Sequence, residues 1–149
     1  MPSIYAFHGE YEPGMVTTNY LAVVGQNTAW PGASARLTDE VTDEPSETIR
    51  FVENIGENVH WMEPRDLQYD TMSFRVNDPE GVSSKYLAPA VTMFNGSVRR
   101  LEEELPEDVL RAMLTVNGGE ELTSSGDNWQ RLTDGRLREE RKVYADTRE

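Results

Sequence analysis

The sequence contains no cysteine. Disulfide staples, thiolate nucleophiles and zinc sites built on sulfur are therefore excluded. Positive charge is scarce: 14 Lys and Arg stand against 27 Asp and Glu, for a net charge of −13. Such a chain repels the phosphate backbone of nucleic acids and anionic membrane surfaces, so no nucleic-acid partner is expected. No run approaches the roughly 18 apolar residues of a membrane-spanning helix. The opening residues MPSIYAFHGEYEPG lack the basic region and apolar stretch of a signal peptide. Gly-rich phosphate loops, nucleophile elbows and metal-ligand spacings are missing too. Histidine occurs only at His8 and His60, and His8, with no second His or Cys beside it, reads as a surface loop residue rather than a ligand. Apolar residues make up 37% of 149, below the usual share, which suits one modest domain with long polar loops.

What is present organises itself around residues 81–101, GVSSKYLAPAVTMFNGSVRRL. Ala90 to Phe94 is short, apolar and partly β-branched, and Asn95-Gly96 joins it to Ser97-Val98-Arg99-Arg100-Leu101. Two strand-like runs around Asn-Gly predict a hairpin with a two-residue type I′ turn, whose two central residues both need positive φ. Alternation then puts Val91 and Met93 on one face, with Val98 opposite them on the return strand. Residues 17–24, TTNYLAVV, read as one strand with Leu21 and Val23 on one face and Tyr20, Ala22 and Val24 on the other. Ile49 to Ile55 reads as a second strand, with Ile49, Phe51 and Glu53 alternating against Arg50, Val52 and Asn54. Val59 to Met62 follows a Gly56-Glu57-Asn58 turn and completes a second hairpin candidate. Pro106, Glu107 and Asp108 suit the first turn of a helix. Its apolar stripe is Val109, Leu110, Met113 and Leu114, and Asn117-Gly118-Gly119 is its expected stop. The fold class expected is α+β: a small antiparallel sheet with a helix packed on it near the C-terminus, and long polar loops at 28–48 and 68–80. Residues 1–16 form an irregular entry segment, 17–122 the domain, and 123–149 a polar tail.

Three groups of residues invite a functional reading. Between Leu37 and Asp70 ten Asp and Glu face two Arg, Arg50 and Arg65. Asp39, Glu40, Asp43 and Glu44 supply the oxygen ligands that a cation such as calcium needs, but not the regular spacing of a calcium loop. The alternative is a solvated acidic loop. Glu53 and His60 meet across the second hairpin candidate, either as a general-base pair or as an ordinary cross-strand pair. Trp30 and Trp61 are aromatic side chains of the kind that cover a sheet or form a contact surface.

Several segments, in order, resemble the DUF1559 family of pseudopilin-like proteins, abundant in planctomycetes and related to the major pseudopilin of type II secretion. Residues 18–25, TNYLAVVG, resemble that family's TNYxxVxG strand, and residues 28–32, TAWPG, the loop after it. Residues 48–53, TIRFVE, resemble TILxVE; residues 61–67, WMEPRDL, resemble WxxPxDL; and residues 110–122 resemble a closing LRALxTxNGGE. Lys85 stands where the family has a histidine, nine residues before an Asp-Gly that is Asn95-Gly96 here, followed by Ser97. If that His and Asp share an ionic or metal role in the family, it is lost here, while the turn chemistry is kept. The resemblance implies the globular part of a pseudopilin without its N-terminal helix: a non-enzymatic assembly domain with protein partners or copies of itself, in the cell envelope if an anchored precursor was cut short, in the cytoplasm if Met1 is the true start. A soluble module that binds a cation or a carbohydrate through the acidic loop and the aromatic residues is the alternative. A hydrolase using Glu53, His60, Glu63 and Asp66 is the third reading.

Overall fold

The computed structural model describes residues 1–6, 12–86, 88–125 and 128–131. His8 and the charged run 136–142 lie outside them. The class is α+β, built among the described residues from small antiparallel sheets, one parallel strand pair and one α-helix. Among the described residues no helix is long and apolar enough to cross a membrane.

The segment read as one strand is three. Thr17–Thr18 (β1), Tyr20–Leu21 (β2) and Val23–Val24 (β3) each pair with a different partner. β1 is antiparallel to Val59–His60 (β5), β2 is antiparallel to Ile49–Glu53 (β4), and β3 is parallel to Leu67–Gln68 (β6). The breaks fall where side chains and neighbouring backbone take over: Asn19 carbonyl accepts the Asn54 N–H, and Ala22 N–H donates to Asp66 Oδ1 at 2.8 Å. β4 and β5 do not form a hairpin with each other, so Glu53 lies opposite Tyr20 and His60 opposite Thr17.

The main sheet runs β2-β4-β7-β8, where β7 is Ala90–Met93 and β8 is Val98–Arg100. Its register departs from simple alternation twice. In β4, Ile49 pairs with Met93 but Phe51 already pairs with Thr92, so Arg50 is the extra residue of a β-bulge. Ile49 and Val52 therefore both enter the core, and Phe51 turns to the opposite face with Arg50. The hairpin corrects the type I′ expectation. Gly96 has φ +86, but Asn95 is not among the positive-φ residues. Gly96 N–H donates to the Met93 carbonyl at 3.0 Å, and Met93 N–H to that of Ser97 at 2.8 Å. Phe94-Asn95-Gly96 is thus a three-residue loop with a left-handed glycine. The added residue moves β8 by one register position, and a one-residue shift exchanges the faces. Val98 pairs with Thr92 rather than Met93 and stands 68% exposed, while Val91 and Met93 are buried.

Helix α1 (Glu107–Leu114) lies under the sheet with Val109, Leu110, Ala112, Met113 and Leu114 buried. Pro106 precedes it and Glu107 and Asp108 occupy its first turn. Its stop is not the Asn-Gly-Gly run. Thr115 is already extended and bridges Thr28, and Val116 N–H donates to the Asn27 carbonyl at 2.9 Å. Leu122–Ser125 (β9) and Asn128–Arg131 (β10) then form an antiparallel hairpin.

The connection 68–80 is not a polar excursion. Met72, Phe74, Val76 and Val82 join the core, and the Arg111 guanidinium sits 3.6 Å from the Phe74 ring centroid. Asn77 (φ +66) turns the loop back, and Gly56 admits the close approach of the Pro79 backbone, which a side chain would meet. Asp78 closes the loop by accepting Glu80 N–H at 3.0 Å and Ser73 Oγ–H at 2.8 Å, and these bonds hold its carboxyl below the ordinary value of 3.8.

Two outcomes are expected from this geometry. Gly96→Val has open space for its side chain but a strained backbone, at a cost of about 1–3 kcal/mol; Gly96→Asn, which tolerates positive φ, should lose less in the same urea titration. For Asp78, the unfolded chain takes up its proton first as pH falls. Its stabilising contribution is full above the unfolded pKa and is lost as pH drops through the folded one. Asp78→Asn should therefore flatten the stability curve below about pH 4, measured by urea unfolding across pH.

Candidate contact site on the outer sheet face

The core side of the main sheet is closed by α1 and the 68–84 loop; the other face is divided in two. At one end Glu53 is fully buried although it is an acid. Its Oε1 accepts Ser84 Oγ–H at 2.7 Å and its Oε2 accepts Ala90 N–H at 2.8 Å. Arg100 Nη1 donates to the Ala88 carbonyl at 2.9 Å, so Ser84 and Ala88 lie at this end. Burial raises the Tyr20 hydroxyl above its ordinary pKa, the Glu53 carboxylate adds to the rise, and Arg100 opposes it.

The other end is open. Phe51, Thr92 and Val98 form one row across β4, β7 and β8. Beside it Trp30 packs on Phe51, with ring centroids 5.1 Å apart, and Trp30 Nε1–H donates to the Arg50 carbonyl at 2.7 Å. The exposed Arg50 guanidinium lies 5.6 Å from the Trp30 and Phe51 centroids and 5.8 Å from that of Phe94, within cation–π range. The bulge at Arg50 makes this cluster by placing Arg50 and Phe51 on the same side. Trp30 belonged to the residues read from sequence; Arg50, Phe51, Phe94 and Val98 did not. Only the run Arg50-Phe51 beside a Trp-Pro-Gly loop carried a trace of it.

The remaining candidates disperse. Lys85 is exposed, and its neighbour Ser84 is bonded at the Glu53 end of β7, whereas Asn95, Gly96 and Ser97 form the loop beyond the other end. There Asn95 Oδ1 accepts Ser97 N–H at 2.9 Å and Ser97 Oγ–H at 2.7 Å, a local turn bond. Trp61 packs on Tyr5 of the entry segment, centroids 5.7 Å apart. Glu63 pairs with Arg65 at 2.7 Å and Asp66 is spent on Ala22 N–H, while Glu53 sits in a different sheet from His60. The bond from Arg65 is the main reason the Glu63 carboxyl lies below its ordinary pKa.

The four acidic residues read as cation ligands accept hydrogen bonds from separate parts of the chain or stand exposed. Glu40 Oε2 accepts Leu37 N–H at 2.6 Å, Glu44 Oε1 accepts Ser46 Oγ–H at 3.2 Å, and Asp39 is exposed. Asp43 Oδ2 and Oδ1 accept the N–H groups of Gly118 and Gly119 at 2.9 and 3.0 Å. Among the described residues no group of His, Asp or Glu is arranged to hold a metal ion.

The chain matches no family model, no curated protein and no solved structure.

Asp43→Ala is expected to cost about 1–2 kcal/mol by freeing two backbone donors. Calcium at fixed ionic strength should not raise the melting temperature of the parent in a saturable way; saturable stabilisation, lost in Asp39→Asn with Asp43→Asn, would establish a cation site.

Proposed function

We propose that this domain works by contact rather than by catalysis, as a structural or assembly domain of the kind that the pseudopilin resemblance implies. One observation carries the reading: two register irregularities in the same sheet, the bulge at Arg50 and the three-residue loop at Phe94-Asn95-Gly96, turn Phe51 and Val98 outward. Regular alternation would have kept both inside. An outward row of apolar residues flanked by Trp and Arg has the composition of a protein contact surface. The second reading, a ligand-binding module, shares the aromatic part of this face, but its acidic part is committed to turn and loop bonds.

Sedimentation velocity over a range of concentrations, with neighbouring envelope proteins as candidate partners, tests the proposal. Val98→Asp should weaken association at least about tenfold, as expected for a contact at the centre of an interface, and leave the circular dichroism spectrum unchanged. Turnover of any substrate in a panel of esters, phosphoesters and glycosides, abolished by a point mutation, would overturn it.

A further inference from the structure

The open end of the sheet continues into a cleft of about 480 Å³ under the 29–36 loop, lined by Trp30, Pro31, Arg36, Arg50 and Phe94. That size is within the range of small-ligand and peptide sites. Its electrostatics are opposite to those of the chain. Arg65 holds two carboxylates, Glu57 and Glu63, each at 2.7 Å. Arg50 and Arg36 line one cleft, and among the described residues neither has a carboxylate within ion-pair distance. Arg36 donates from Nη2 to the Gln26 carbonyl, and its Nε is buried with no acceptor. Arg50 is held by ring faces, which orient the guanidinium plane without consuming its N–H donors.

A guanidinium on an aromatic platform is suited to a planar carboxylate. Trp30 and Arg50, which line the cleft, also stand against Phe51, whose row continues to Thr92 and Val98, so a ligand with an extended, partly apolar body is matched better than a lone anion. We infer that this cleft binds an acidic peptide segment of a protein partner, its carboxylates on Arg50 and Arg36 and an apolar side chain against Trp30 and Phe94. The inference deepens the contact reading above and rests on it.

The probe is a capped heptapeptide with the sequence of residues 102–108, EEELPED, an acidic run of this chain whose Glu and Asp side chains are exposed and whose Leu105 is buried in the core, so that only the free peptide offers its leucine. Its control replaces every Glu and Asp by Gln and Asn. Both are titrated at low salt into protein dilute enough to be monomeric, followed by amide chemical shifts. Saturable binding of the acidic peptide is expected, with shifts concentrated at residues 29–36, 50–51 and 94. Arg50→Gln should weaken it about tenfold, the loss expected of a charge-assisted bidentate contact. Arg50→Lys should fall between the two, and Arg75→Gln, outside the cleft, should match the parent. Equal binding of the two peptides, no binding, or an Arg50→Gln variant equal to the parent would overturn the inference. So would equal displacement by sodium acetate at the same carboxylate concentration, which would assign the cleft to simple anions. Peptide binding is scored without turnover or self-association, so failure here is distinct from failure of the contact reading.

Discussion

The carboxylate of Glu53 is the constraint on which the domain depends. An acid removed from water must find donors, because an unsatisfied buried charge costs several kcal/mol, on the order of 3–5 when one partner of a buried pair is lost. Glu53 finds them in Ser84 Oγ–H and Ala90 N–H, thereby fixing where β7 begins and where the chain before it must lie. Asn54 repeats the device on the other side of the strand. Its Nδ2 donates to the carbonyls of Pro79 and Gly81, and its Oδ1 accepts the N–H groups of Gly56 and Glu57. Two adjacent polar residues thus clasp the irregular 73–84 loop to the sheet, and that loop delivers Met72, Phe74, Val76 and Val82 to the core. Polar satisfaction comes first here, and the apolar packing follows the loop it positions.

With one end of the outer face sealed by that clasp, the other end is left to be exposed. What it exposes is set by phase. A β-bulge and a G1-type loop each add one residue, and each addition reverses the side to which the following residues point. Neither change disturbs the buried set, because Ile49, Val52, Val91 and Met93 still meet across β4 and β7. Phe51, displaced outward, joins Trp30 and Phe94 around Arg50, the charged residue that the bulge itself turns out.

Element types were legible in the residues; phase was not. The helix announced itself through Pro106 and the stripe Val109, Leu110, Met113, Leu114, all four of which are buried. The hairpin was visible in Asn95-Gly96, yet a two-residue and a three-residue loop share that dipeptide, and only the hydrogen bonds of Met93 tell them apart. Residues 17–24 alternate well enough for a strand, but the sequence says nothing of three partners. Met72, Phe74 and Val76 did alternate inside a stretch that polar neighbours made look like loop, and period two was the signal available there. Of the candidate site, Trp30 stood out by its chemistry. Arg50 and Phe94 acquire meaning only through the rings and the bulge that gather them, and the acidic loop looked like a ligand set because sequence does not show that Asp43 is engaged by Gly118 and Gly119.

The division of residues 17–24 among three sheets has a kinetic side. Each two-residue strand takes a partner from the stretch 49–68: β4 for one, β5 for another, β6 for the third. None of these pairings is local, so each requires a large loop to be closed before it contributes, which slows folding in chains of high contact order. Once formed, the three pairings share a single strap of backbone. Fraying at Thr17 stops at the next antiparallel pair, and release of Val23 from Leu67 leaves Leu21 still held by Val52. A strap of this kind resists stepwise peeling, and under tension along the chain it would hand the load from one sheet to the next.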